Sequence, residues 1–180
     1  DFGEICLGDS IYYDAKIKNY SDFDIDMEPP LLTETTHFSA QYLRDNHLPY
    51  DDTLGLRVNF VPQDTGSFET MIYLSCEEDP RRLDSIYVTG RSIRTELQAF
   101  GDGVFGCLKL GKTLTKKFKV VNNGNTEAYI DYPTFTGNFR FVNASPTLPT
   151  YLDPGDTLSF EIEFNPTNVR EYNYNLKIIA

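Results

Sequence analysis

The chain of 180 residues carries 27 Asp and Glu against 16 Lys and Arg, a formal net charge of −11. Nucleic-acid binding rests on neutralising phosphates with Lys and Arg, so this balance argues against that class of partner. No run of 18 or more apolar residues exists, so nothing reads as a membrane span. The charge is uneven: residues 1–95 hold 8 Lys/Arg against 18 Asp/Glu, residues 96–180 hold 8 against 9. The acidic first half reads as a solubility feature, with a metal or a cationic partner as the sharper alternative.

Taken in order, the chain opens on Asp1 without a signal peptide, directly at Phe2-Gly3 and Leu7-Gly8. Lys16-Ile17-Lys18-Asn19 follows, then a loop region with acidic clusters and both histidines. Leu54-x-Leu56-x-Val58-x-Phe60-x-Pro62 alternates apolar and polar, and Gln63-Asp64-Thr65-Gly66 is turn chemistry. A strand ends at Val88-Thr89-Gly90, and a short linker is expected near Ser92 to Phe100.

The same order then restarts. Phe105-Gly106 and Leu110-Gly111 repeat the opening, and Lys119-Val120-Val121-Asn122 repeats the strand ending in Asn, at an offset of 103. Asn122-Asn123-Gly124-Asn125 and Asp153-Pro154-Gly155-Asp156 are turns, and Leu158-x-Phe160-x-Ile162-x-Phe164-x-Pro166 repeats the later block at an offset of 104. Tyr172-Asn-Tyr174-Asn-Leu176-Lys-Ile178 alternates again. A period near 100 is the length of a small domain, so two like domains are expected, 1–95 and 96–180. The second stops where the first continues through residues 84–90, so it is expected to lack its last strand and the chain reads as a fragment. The short linker predicts a rod.

The periodicity is two throughout, which places one side-chain set in a core and the other in water. No amphipathic helix emerges; the best candidate, Phe38 to Leu48, lacks a sustained apolar stripe. Short alternating strands without helices give an all-β class, two tandem immunoglobulin-like antiparallel β-sandwiches.

The order of these motifs resembles the ASH/Hydin-type immunoglobulin-like domain. A closely similar module of bacterial surface proteins is the choice-of-anchor D type, and both are related to PapD-like and major-sperm-protein sandwiches. The likeness is clearest in residues 105–122 and 152–166, including Asp153-Pro154-Gly155, while the first repeat has Tyr50-Asp51-Asp52 where the family usually has Pro-Gly. The resemblance implies scaffolding, adhesion or partner binding, and its motif brings no catalytic residues.

Candidate sites are few. His37 and His47 sit in no recognisable motif and read as surface or turn histidines. Asp22, Asp24 and Asp26, Asp51-Asp52, and Glu77-Glu78-Asp79 are potential calcium clusters, but the glycine and closing glutamate of an EF-hand loop are absent. Neither a cofactor nor a metal is assigned. Cys6, Cys76 and Cys107 have no CxxC spacing; Cys6 and Cys76 are placed on neighbouring strands, where a bridge or free thiols are both open. Lys109, Lys112, Lys116, Lys117 and Lys119 crowd the start of the second repeat. Lys117 and Lys119 flank inward Phe118 and share an outward face, so Lys112, Lys117 and Lys119 are the candidate docking residues for an acidic partner. Tyr12, Tyr13 and Tyr20 keep a sugar-binding reading open, and Asn19-Tyr20-Ser21 and Asn143-Ala144-Ser145 match the glycosylation triplet.

The expected function is a non-catalytic part of a larger secreted or cell-surface bacterial protein, which spaces or docks protein partners or neighbouring domains. The alternative is an intracellular cilium- or microtubule-associated scaffold of the same family, and the third reading is a carbohydrate-binding accessory module. Each buried Phe, Leu, Ile or Val stabilises by ~1.5–3 kcal/mol. Phe60→Asp or Phe164→Asp is therefore expected to cost several kcal/mol, ~3–5 on the scale of large core disruptions, read as lost cooperative unfolding in urea.

Overall fold

The period-two runs fold as strands. The computed structural model describes residues 1–77, 79–135 and 137–178, with the backbone alone for 80–83; the described residues form fifteen strands and no helix. The chain is an all-β sandwich protein and divides into two units, Asp1–Arg94 and Thr95–Ala180.

In the first unit the strands are β1 (Glu4–Cys6), β2 (Ile11–Lys18), β3 (Ile25–Asp26), β4 (Leu31–Leu32), β5 (Phe38–Tyr42), β6 (His47–Leu48), β7 (Thr53–Phe60), β8 (Gly66–Cys76) and β9 (Asp79–Ile93). One sheet is antiparallel in the order β2-β7-β5; the facing sheet runs β1-β9-β8-β4, with β1 parallel to β9. A small β3-β6 ladder closes one end. The alternation in β7 buries Leu54, Leu56, Val58 and Phe60 against Ile72, Leu74 and Val88 of the other sheet. Gly90 on β9 lies flat against the Phe60 ring: a Cβ there would fall 2.5 Å from Phe60 Cε1. Only glycine lets β9 come that close.

The second unit contains β10 (Leu97–Phe100), β11 (Leu114–Asn122), β12 (Ala128–Ile130), β13 (Phe139–Ser145), β14 (Thr150–Leu152) and β15 (Thr157–Phe164). Its large sheet runs β10-β11-β15-β13, and β12 pairs with β14. Five strands of the first unit have counterparts here by position and pairing: β2 with β11, β7 with β15, β5 with β13, β3 with β12, and β6 with β14. Phe2, Phe38 and Phe60 form a ring cluster at 4.9–6.2 Å between centroids. Phe105, Phe139 and Phe164 form the matching cluster at 4.7–5.6 Å.

A buried asparagine at the end of β2 and of β11 ties each corner together. Asn19, 2% exposed, donates through Nδ2 to the carbonyls of Phe23, Leu48 and Pro49 at 2.9–3.2 Å. Asn122, 0% exposed, donates to Thr126 and Leu152, both at 2.8 Å. Each Oδ1 accepts an amide two residues on, from Ser21 and from Gly124. Each asparagine N–H also reaches the following turn, at Asp52 O and Asp156 O. In that second turn Gly155 adopts φ 88°, and in the first Asp51 takes the same left-handed place at φ 57°. Asp51 thus stands where the Pro-Gly glycine was expected, because Asp is among the few non-glycine residues that tolerate this region.

Two expectations need correction. Ser92 belongs to β9 and residues 97–100 form β10, so the linker is confined to residues 94–96; pairing with β11 captured the rest. Residues 171–178 keep their in-out alternation but are not a strand, because no neighbour among the described residues offers them a ladder. In the first unit the corresponding stretch is β8, zipped to β9.

Asn19→Ala or Asn122→Ala would strand buried carbonyls that now accept, at ~1–3 kcal/mol per unsatisfied group. Each is expected to lower stability by about 2–4 kcal/mol in urea denaturation. Asn122→Asp should do no better, since a carboxylate cannot donate to Leu152 and Thr126.

Candidate functional site

The strand alternation of β11 sends Phe118 and Val120 inward and Lys117 and Lys119 outward. Phe100 of β10 pairs with Lys119 and therefore shares its face, 47% exposed. Across the sheet, Glu161 and Ser159 of β15 stand opposite Lys117 and Lys119, and Asn143 and Ser145 of β13 stand opposite those. Together with Gly101, Phe118, Ala144 and Phe160 they line a shallow groove of about 370 Å³. Lys117 Nζ lies 3.5 Å from Glu161 with its side chain 85% exposed, so this pair is screened and leaves the ammonium available. Two ammonium groups, one exposed ring and a rim of amide and hydroxyl groups suit an acidic protein surface.

The structure thus brings Lys117 and Lys119 together but not Lys112, which sits in the turn ahead of β11, its N–H bonded to Lys109 O at 3.1 Å. Lys116 turns the other way, to Asp102 and the Val104 carbonyl, 5.6 Å over the Phe105 ring. That ammonium holds the Asp102 carboxyl below its ordinary range. Phe100 escaped the sequence reading because it lay in the expected linker; only the β10–β11 register puts it on the face.

The acidic clusters are taken up locally. Asp24 accepts from Tyr50 N at 2.8 Å, Asp26 pairs with His47 Nδ1 at 2.8 Å, Asp51 with Lys18 at 2.7 Å and Asp52 with Arg44 at 2.7 Å. Among the described residues no three His, Cys, Asp or Glu side chains converge as metal ligands; Glu78 of the third cluster lies outside them. His37 is a turn histidine, in the bend ahead of β5. Its ring stacks on Phe68 at 3.8 Å with the side chain 12% exposed, because the residue before β5 points under the sheet edge. Tyr42 is half-buried, which raises its phenol to about 12, and it donates to Glu28 O at 2.8 Å.

Of the exposed tyrosines, Tyr12 is covered by the Arg57 guanidinium at 4.1 Å and Tyr13 stacks on Phe2 at 5.1 Å, while Tyr20 stands out from the surface. Asn19 is sealed in its corner and cannot accept a glycan in the folded state, whereas Asn143 is exposed on the lysine face. Cys6, Cys76 and Cys107 are free thiols. Cys6 and Cys76 do lie on the two strands that flank β9, but opposite Ile93 and Asp79 at its two ends. At ~3.3 Å per residue those ends are about 45 Å apart, far beyond the ~7 Å limit for a bridge.

Residues 103–180 match the family model of the HYDIN/CFA65/VesB-like, Ig-like domain. Residues 103–180 are thus similar to an immunoglobulin-like domain of that type, in agreement with their sandwich. A solved structure of a protein of unknown function from Porphyromonas gingivalis W83 is similar at 15% identity and a TM-score of 0.41, over 90% of this chain and 78% of that one. The secreted serine protease VesC from Vibrio cholerae is similar at 8% identity and a TM-score of 0.40, over 92% of this chain and 45% of VesC. No curated protein matches the sequence.

His47 is held above the ordinary histidine range, first by its hydrogen bond to Asp26 and then by the charges of Asp26, Asp24 and Asp45. A raised folded-state value means the β3–β6 clasp gains stability from protonation below pH ~6.5. That gain is lost as pH rises through the folded value. NMR titration of the His47 ring should show a midpoint above ~6.5 that returns toward it in Asp26→Asn.

Proposed function

We propose that this chain is a non-catalytic interaction module, which docks or spaces protein parts and holds an acidic partner surface on the Phe100–Lys117–Lys119 face. The observation that carries this reading is the strand face itself: two outward, exposed ammonium groups beside a half-exposed phenylalanine on the neighbouring strand. Hydrolysis by a nucleophile needs a base held beside it and oriented by a third group. The histidines do not complete that array: His37 lies against Phe68, and His47, held by Asp26 at Nδ1, turns Nε2 toward the Asp24 carboxylate at 3.9 Å rather than toward a hydroxyl or thiol. The non-catalytic character of Ig-like domains, and the match over residues 103–180, support the same reading.

Zero-length carbodiimide coupling in the native assembly tests it. Lys117 and Lys119 should couple to carboxylates of another protein, and the Lys117→Glu, Lys119→Glu double variant should lose that product at least ~10-fold, as expected when like charges meet across an interface. Coupling of Lys117 only to Glu161 of its own chain would overturn the docking face.

One observation bears on compartment. Three unpaired cysteines, two of them exposed, suit a reducing environment better than an oxidising one. They favour the intracellular scaffold over the secreted or cell-surface bacterial module. A membrane-impermeant maleimide should then label Cys6 and Cys107 only after the cells are opened; labelling of intact cells would restore the surface reading.

A further inference from the structure

Both units have the corner built on a buried asparagine, but the first finishes it with aromatic rings. Asn19 donates to the carbonyls of Phe23, Leu48 and Pro49, and Tyr50 N donates to Asp24 Oδ1 at 2.8 Å. These bonds set residues 20–24 beside residues 48–51. Three rings stand out from the corner: Tyr20 is 86% exposed, and Phe23 and Tyr50 are each more than half exposed. Matched through Asn122 and the left-handed turn residue Gly155, the second unit has Asn123, Thr126 and Pro154 at the same places. The corner therefore closes without aromatic side chains, and the fold does not require the three rings.

The corner already holds the chemistry that suits it. Lys18 Nζ lies 5.4 Å over the Tyr20 ring and 2.7 Å from Asp51, an ammonium between an aromatic face and a carboxylate. Beside it Phe23, Tyr50 and Asp22 all face water. The second unit presents the complement, with Lys117 and Lys119 exposed on one strand face and Phe100 next to them. The long-range charge agrees: residues 1–95 hold 18 Asp/Glu against 8 Lys/Arg, while residues 96–180 are nearly balanced.

Resting on the docking reading of the lysine face, we propose that Lys117, Lys119 and Phe100 take the Tyr20–Phe23–Tyr50 corner of a second copy of this chain. An unrelated acidic surface would use the two ammonium groups but leave the three rings of the corner in water. A second copy places the ammonium groups against rings and carboxylates and covers Phe100 with an aromatic neighbour, the residue types that carry interfaces. The two surfaces differ, so the contact is head-to-tail and every copy carries both halves of it.

Sedimentation velocity of the full 180-residue chain at low salt should show concentration-dependent species beyond the monomer. They should disperse near ~1 M salt, where the Debye length falls to ~3 Å. In a mixture of isotopically heavy and light chain, carbodiimide should join Lys117 or Lys119 to Asp22, Asp24 or Asp51 in heavy–light pairs. The Lys117→Glu, Lys119→Glu variant and the Tyr20→Ala, Phe23→Ala variant should each self-associate at least ~10-fold more weakly, with an unchanged urea midpoint. Mixed together, these two should form a heterodimer and nothing larger, because each keeps the surface that the other has lost. A chain that stays monomeric at low salt and millimolar concentration would overturn the proposal. So would crosslinks without heavy–light pairs, or folded variants that give no heterodimer. If Lys117 and Lys119 then couple to a different protein in the native assembly, the docking face stands and only this partner falls; coupling to Glu161 alone removes both. The salt and isotope readouts use the unaltered chain, so they decide even where a variant fails to fold.

Discussion

A buried carboxamide at the end of one strand is the constraint on which each unit depends. The side chains of Asn19 and Asn122 are removed from water, which is costly for an amide unless its donors and acceptor are all used. They are used on two pieces of backbone, the residues just after the strand and the β6 or β14 segment about 30 residues on, while the asparagine's own backbone N–H reaches the turn beyond. The register of β2 with β7 and of β11 with β15 follows from this. Once Asn19 is seated against Leu48 and its N–H against Asp52, Ile17 can only face Leu54 and Ala15 only Leu56. The left-handed turn residue, Asp51 or Gly155, is needed because the turn must swing its backbone back to that asparagine.

The aromatic clusters are the second level of the same design, and here the units part. Three rings at matched positions form the end of each core, but among the described residues only in the first does a glycine-bearing strand lie over them. Stacking within ~5–7 Å contributes a modest amount beyond burial, so the rings of the second unit hold together without such a strand. Residues 171–178 have the side-chain pattern of a strand and the backbone of a loop, because a strand is defined by what pairs with it.

Much of the fold was legible in the sequence, for a physical reason. Alternation in 54–60 and 158–164 reports burial on one face, and those residues sit in the core in that order. The repeat marked positions that the two units use alike: Phe2 and Phe105 in the ring clusters, Asn19 and Asn122 in the buried corners. Pairing was less legible. Leu97-Gln-Ala-Phe100 has no strong period and becomes a strand only through β11, and with it Phe100 reaches the docking face. His37 was expected at the surface or in a turn; it lies in a turn, and its packing was not legible because it rests on Phe68, 31 residues downstream. Lys117 and Lys119 were found because alternation alone fixes their direction; Lys112, ahead of the strand, has no such constraint.

The lysine face and the aromatic corner would recognise each other by two kinds of physics. Exposed charge attracts at long range, speeds encounter and is weakened by salt beyond a Debye length of ~8–10 Å. Ring burial acts only at contact, and salt leaves it nearly untouched. The acidic balance of residues 1–95 belongs to the first kind, since it draws ammonium groups toward the whole unit rather than toward one corner. Phe100 and the rings of Tyr20, Phe23 and Tyr50 belong to the second, and they select the corner that is met. Because the two contributions rest on separate side chains, Lys117→Glu would chiefly slow such an encounter, and Phe23→Ala would chiefly hasten its dissociation.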